Sequence, residues 1–200
     1  MTEKEKAFAG ILYDAAYDEE IVKGRILSQE QSYDYNHFRP SQKAERDEMI
    51  RRLFKKTGKN FLIEQPFQCD FWDRVSIGEN FYSNYNLIIL AGTEVEFGDN
   101  VFIAPNCGIY AAGHPFDVEL RNQGLEYAWP IKVGNNVWIG GHVCIMGGVT
   151  IGDNTVIAAG SVVTKDIPSG VLAGGNPCKV IRKLTKEDDA KYMTGFPSVV

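Results

Sequence analysis

The chain has 200 residues, 44% of them apolar, and a formal net charge of −5. That length allows one or two domains and a sizeable buried core. No basic stripe is visible, which argues against a nucleic-acid partner, and no stretch approaches the roughly 18 apolar residues that span a bilayer. The N-terminus reads MTEKEKAFAGILYDAAYDEE. Its short apolar patch is flanked by acids and lacks the basic start and long apolar run of a signal peptide, so a cytoplasmic protein without a membrane partner is expected. Cys69, Cys107, Cys144 and Cys178 are widely spaced, with no CxxC pair. They fit buried, reduced thiols better than a disulfide framework or a zinc site.

In chain order, residues 1–60 hold many charges and few glycines, and read as helical. Phe8, Ile11, Leu12 and Ala15 share one face of a first helix. Residues 18–37 are ambiguous, one reading being a helix broken near Gly24. Ser41 follows Pro40 and can cap a further helix through Ile50, Leu53 and Phe54, stopping near Gly58. From about residue 75 Gly, Val, Ile and Asn dominate, which marks a second region of different architecture. The resulting division is a helical segment at 1–60, a repeat region at 61–185 with an excursion at 110–130, and a tail at 186–200.

The second region repeats every six residues. Val133, Ile139, Ile145, Ile151, Ile157 and Val163 keep strict spacing, with mostly small residues after each. Two positions earlier stand Ile131, Val137, Val143, Val149, Thr155 and Ser161, which share a side with them on a strand. An earlier block, Phe97, Ile103 and Ile109, has the same phase; Ile77 starts it but reaches Phe97 with two extra residues. One short strand and one turn per hexad wind into a parallel β-helix. A β-sandwich would show strands at about 8–12 residues with varied spacing. The residues just before each Ile/Val (Lys132, Trp138, Cys144, Thr150, Val156 and Val162) point outward. Several are apolar, and an exposed apolar stripe predicts self-association through a face of the coil.

Between Ile109 and Ile131 the pattern breaks into YAAGHPFDVELRNQGLEYAWP. An irregular excursion of this length in a repeat protein is more often functional than not. It carries His114 between Gly113 and Pro115, and histidine is the usual general base near neutral pH. His37 lies in the helical region and His142 in a turn of the repeat. The spacing of the three does not suit a metal site, so none is expected. Asn84 is a second candidate, read otherwise as a turn residue. Lys165, Lys179, Arg182 and Lys183 concentrate positive charge late in the repeats, as a solvated end or as a seat for the phosphates of a large anionic cofactor.

These residues resemble the maltose and galactoside O-acetyltransferases, with the nodulation acetyltransferases as near relatives. The similarity covers nearly the whole chain: AGILY, YNHFRPS, NFYSNYN, GDNVFIAPN, GHP, IKVGNNVWIGGHV, GVTIGDNTVIAAGSVVTKDIP and GGNPCKVIRK. The resemblance implies a mainly β, left-handed parallel β-helix with an N-terminal α-helical segment. It also implies a homotrimer that binds acetyl-CoA between subunits and transfers its acetyl group directly to a sugar hydroxyl. His114 matches the family's general base and Asn84 its partner beside the acceptor. Cofactor positions fall on Gly141, Ala159, Thr164, Lys165, Lys179 and Arg182, with a backbone N–H near Gly141 facing the developing oxyanion. Relatives often carry Arg at position 179. Acceptor contacts fall on Asp70, Asp14, Tyr82 and Glu126, while the carboxylate that galactoside enzymes place at the position of Gly92 is missing. Two rival readings are an acetyltransferase with a non-sugar hydroxyl acceptor and a non-catalytic structural or binding solenoid.

Overall fold

An extended hexad with Ile or Val two residues apart buries one side and exposes the other. In the computed structural model, which describes residues 1–189, such hexads wind into a parallel β-helix with three strand faces. The first face stacks Phe61–Ile63, Phe81–Ser83, Phe102–Ile103, Trp138–Ile139, Val156–Ile157 and Val171–Gly174. The second stacks Phe67–Cys69, Leu87–Leu90, Gly108–Tyr110, Cys144–Met146 and Val162–Val163. The third stacks Val75–Ser76, Val95–Phe97, Ile131–Val133 and Thr150–Ile151. Like meets like across the rungs: Ile139 lies between Ile103 and Ile157, and Ile145 between Ile109 and Val163. All six are fully buried, each contributing roughly 2 kcal/mol of apolar transfer.

Two of the three corners are held by left-handed residues. Asn80, Asn100, Asn136 and Asn154 have φ of 55–56°, and each passes its Nδ2 to the next Oδ1 at 3.0, 2.9 and 2.9 Å. Asparagine suits this role because its short amide tolerates positive φ. At the next corner Asn86, Asn106 and His142 form the corresponding column, with φ of 62°, 62° and 58°. The third corner is where the period fails. Cys69 to Ile77 and Ile89 to Phe97 each take eight residues instead of six, and Ile109 to Val133 takes 24. The strands nevertheless resume in register, Ser76 on Glu96 and Val133 on Phe97.

Helices cover the first coil. α1 is Glu3–Phe8, α2 Glu19–His37 and α3 Lys43–Leu53. A bare strand edge would leave its backbone groups unpaired, and α2 supplies partners from its side chains. Asn36 donates to the Phe67 carbonyl and accepts from the Phe67 N–H, both at 2.8 Å, while the Tyr35 hydroxyl donates to the Ile63 carbonyl at 2.7 Å. Tyr35, Phe54, Phe67 and Trp72 pack edge-on beneath, with ring centroids 5.1–6.1 Å apart. At the far end Lys179–Lys183 pairs antiparallel with Val171–Gly174. Residues 190–200 of the expected tail lie outside the described residues.

The helical expectations need correction in detail. α1 stops at Phe8 because Gly10 turns the chain with φ of 70°. Ile11 and Leu12 are therefore not helical, and Ala15 is buried from a turn. α2 runs unbroken through Gly24, whose missing side chain admits Phe71: a Cβ there would come within 3.1 Å of its ring. Ser41 caps nothing; Gln42 holds the cap position of α3 without a side-chain capping bond, its Oε1 accepting instead from the Arg39 N–H, and Phe54 lies past the helix end. The outward residues are outward as expected but do not form one stripe. Successive hexads occupy successive faces, so Trp138 and Val156 share the first, Cys144 and Val162 the second, and Lys132 and Thr150 the third. With Leu62, Tyr82, Phe102 and Leu172 in line, the first face is apolar; the second also exposes Ile88, Leu90 and Met146, and the third is polar.

Candidate active site

The third corner carries an arm built from the excursion. Ala112–Gly113 leads out, α4 (Val118–Asn122) turns, and Leu125–Ala128 returns antiparallel, with Gly113 opposite Tyr127. Tyr13–Asp14 adds a third strand, Tyr13 opposite Glu126 and Asp14 opposite Leu125. The N-terminal segment thus reaches the arm through a strand that its helical reading did not anticipate.

A cleft of about 330 Å³ opens between arm, coil and α2, its walls including Tyr13, Arg25, Asp70, Leu90, His114 and Glu126. His114 is half exposed. Its Nδ1 meets the Leu125 carbonyl at 3.3 Å. A carbonyl only accepts, so that contact holds the proton on Nδ1 and leaves the Nε2 lone pair free in neutral imidazole. Nε2 faces Glu126 Oε1 at 3.7 Å. The other Glu126 oxygen accepts from the Tyr13 hydroxyl at 3.0 Å. Burial, with the Glu126 carboxylate, pushes the Tyr13 phenol up, so it stays a donor. Asp70 lines the same cleft and accepts from the Ala91 N–H at 2.5 Å. Burial pushes its carboxyl up to about 6, against the pull of that N–H and of the Arg74 guanidinium.

Arg74 escaped the sequence reading. It is buried, donates to the Ala91 and Gly92 carbonyls at 3.2 and 2.5 Å, and lies 3.7 Å over the Phe71 ring, so a cation props the widened corner from within. Tyr13 was visible only as part of AGILY. Asp14 does not line the cleft: its Oδ1 accepts from the Ala16 and Tyr17 N–H groups and closes a turn. His37 is remote, stacked on Tyr33.

Asn84 and Tyr82 stand elsewhere, in a groove of about 410 Å³ on the first face with Phe102, Ile103, Ala104 and Trp138. Asn84 Oδ1 accepts from the Tyr85 N–H at 2.8 Å, fixing the side chain. One chain therefore does not bring His114 and Asn84 together, since a full face of the coil separates the strands that they follow. Gly141 lies at the corner beyond the groove. Its backbone N–H has no hydrogen-bond partner among the described residues, whereas Tyr85, at the corresponding place two coils earlier, is satisfied by Asn84. Ala159 follows one coil on, small and exposed, and Thr164, Lys165 and Lys179 are exposed beyond it. Arg182 is not free: Asp188 accepts from both guanidinium nitrogens, NH1 at 2.8 Å. Among the described residues no group of three or more His, Cys, Asp or Glu is placed to hold a metal ion, and no helix is long and apolar enough to cross a membrane.

The coil has three faces, and a histidine-bearing arm overhangs a cleft at its third corner. Residues 6–58 match the maltose acetyltransferase hexapeptide capping motif, and residues 130–165 match the bacterial transferase hexapeptide pattern of six repeats. A putative acetyltransferase of Saccharomyces cerevisiae is 55% identical over 92% of this chain and 94% of its own. The structure of a maltose O-acetyltransferase from Clostridium difficile 630 aligns with a TM-score of 0.90 and 48% identity, over 93% of this chain and 99% of that one. A galactoside acetyltransferase in complex with coenzyme A aligns with a TM-score of 0.90 and 44% identity, over 94% of each chain. The chain belongs to the maltose and galactoside O-acetyltransferase family of hexapeptide-repeat acetyltransferases.

Proposed function

We propose that this chain transfers an acetyl group from acetyl-CoA to a hydroxyl of a sugar, with His114 as general base. The observation that carries the reading is the His114 hydrogen bond to Leu125, which orients the ring beside the cleft and leaves Nε2 to accept a proton in the tautomer that donates from Nδ1. His114 takes the proton of the acceptor hydroxyl as that oxygen attacks the thioester carbonyl; the C–S bond then breaks, and the proton passes to the departing thiolate, which leaves as the free thiol of CoA. Acetyl-CoA, when bound, supplies an acyl group already activated as a thioester, so no covalent enzyme intermediate is needed. The unpaired Gly141 N–H is suited to the oxygen on which charge develops, a donor commonly worth about 3 kcal/mol of barrier. Gly141 and Ala159 leave room for a pantetheine arm near the backbone. Thr164, Lys165 and Lys179 offer donors for phosphates, and Arg182 joins them on releasing Asp188.

Because His114 and Asn84 occupy separate cavities, the site is complete only where the arm of one chain meets the first face of another. The apolar column on that face supports assembly as a homotrimer. Asp70 and Glu126 are the acceptor contacts of this reading, with Tyr82 reaching the acceptor from the neighbouring chain. The setting of this reading is cytoplasmic.

The test is thiol release from acetyl-CoA across maltose, glucose, galactosides and chitin fragments. Sugar-dependent release that falls by about 10²–10⁴ in His114→Ala supports the proposal. A folded His114→Ala protein with full activity refutes the base, and release only with non-sugar hydroxyl compounds refutes the acceptor.

A further inference from the structure

Arg74 uses only part of its guanidinium. Nη1 donates to the Ala91 and Gly92 carbonyls at the widened corner. The group lies over the Phe71 and Phe8 rings, 3.7 and 5.3 Å from their centroids. Among the described residues neither Nε nor Nη2 has a hydrogen-bond partner, and no carboxylate bonds to the group. The residue is only 3% exposed. A buried cation with an idle edge and no bonded counter-ion is costly to hold. Burial pulls its pKa down, against the attraction of Asp73 and Asp70.

Arg74 lines a second cavity, of about 360 Å³, where α1, α2 and α3 meet the first coil. It does not line the acceptor cleft, and Ile21 and Phe71, which border both spaces, form the partition. The walls of the second cavity are largely hydrocarbon: Leu27, Leu53 and Trp72 join Ile21 and Phe71. Toward solvent Lys4 and Arg52 stand against Glu20 and Asp73, with Lys4 3.8 Å from Asp73. Those four charges cancel, so the net charge of the cavity is that of Arg74. Gly24 keeps α2 close without filling the space, since a Cβ there would come within 3.1 Å of the Phe71 ring.

We propose that this cavity is a second binding site, for a small carboxylate with an apolar body, held by Nε and Nη2 of Arg74. Two adjacent N–H groups on a planar fork match the two oxygens of a carboxylate. The hydrocarbon walls suit the apolar body, and the volume is that of a small-molecule pocket. A bare phosphate fits less well, because one guanidinium edge satisfies few of its oxygens. The proposal is independent of acetyl transfer, but the two spaces share a frame. The guanidinium that would bind the carboxylate also holds the Ala91 carbonyl, and the Ala91 N–H holds Asp70 in the acceptor cleft. A ligand on Arg74 therefore bears on the residue that fixes the wall of the other cavity.

Calorimetry on the full chain tests this with benzoate and hexanoate, their neutral matches benzamide and hexanol, and inorganic phosphate. Each acid is expected to bind on the order of ten- to a hundredfold more tightly than its neutral match, as for hydrogen bonds to a charged group. Leu27→Glu alters an exposed residue at the cavity and sets a fixed carboxylate against the ligand. It is expected to weaken both acids on the order of tenfold and to leave acetyl-CoA binding unchanged. Arg74→Lys keeps the charge but not the fork, and should lose most of the preference for acid over amide; Leu27→Glu carries the test if that variant does not fold. Equal binding of benzoate and benzamide, or binding of neither, means that the Arg74 edge meets water only and overturns the proposal. Phosphate binding tighter than either acid overturns it too. Acid affinities unmoved in folded Leu27→Glu place the ligand elsewhere, with the same result.

Discussion

Asp70 gives the sharpest quantitative expectation. Its carboxyl is pushed from 3.8 to about 6, chiefly by burial. A folded acid with a raised pKa holds its proton more tightly than the unfolded chain, so the folded state is relatively favoured at low pH. That advantage is full below about pH 4 and is lost as pH rises through about 6. Near pH 7 the charged Asp70 is therefore a liability of roughly 3 kcal/mol at most, taking about 1.36 kcal/mol per pH unit. Asp70→Asn keeps the oxygen that accepts from Ala91 and removes the charge. The variant is expected to melt roughly 6–12 °C above the parent at pH 7, with the gain fading to nothing by pH 4. Scanning fluorimetry of both proteins from pH 4 to 8, read as the difference at each pH, tests this. A gain that does not vary with pH, or a loss at pH 7, refutes the reasoning that a buried, under-compensated carboxylate stands there.

Three further outcomes follow from packing. Gly92→Ala forces a methyl into contacts of 2.9 Å with Ala112 and Ala128, and is expected to cost about 1–3 kcal/mol; an unshifted urea midpoint would show that the corner yields freely. Asn136→Ala loses two ladder bonds and leaves a Cβ at φ 56° with no side-chain amide to offset the strain, for a loss of roughly 2–4 kcal/mol. Asn136→Gly loses the bonds without the strain and should cost less; the opposite order would remove the left-handed argument. Trp138→Glu sets a charge in the middle of the apolar first face, and light scattering should then report a mass near the 22.3 kDa of one chain, whereas an undiminished assembly would exclude that face as the contact.

The coil was legible because burial of Ile and Val at every sixth residue is enforced by the rungs themselves, as with Ile139 between Ile103 and Ile157. The helical segment was less so. α2 presents Ser32, Tyr35 and Asn36 to the first coil to satisfy backbone groups, and its Ser28 carbonyl accepts from the Trp72 indole N–H, polar tasks that leave no apolar periodicity to read. Gly24 looked like a break when its role is to admit Phe71. The outward stripe misled because period six tells inside from outside, and only period eighteen tells one face from the next. His114 stood out by interrupting a pattern. Tyr13 and Arg74 interrupt none, and their parts in the site come from partners far away in sequence, Glu126 and the Ala91 and Gly92 carbonyls.

The uneven third corner carries a consequence for how such a protein can change. Two corners are tied rung to rung by asparagine ladders, and a residue added there would break a bonded column. The third has absorbed two residues, two more, and then eighteen, with the strands beyond it still in step. Chain can be inserted, shortened or rewritten along that one edge without unwinding the stack. Asp70, Gly92, His114 and Glu126 all lie along it. New acceptors can thus be explored on a surface whose mistakes stay local, while the rest of the coil keeps the protein folded.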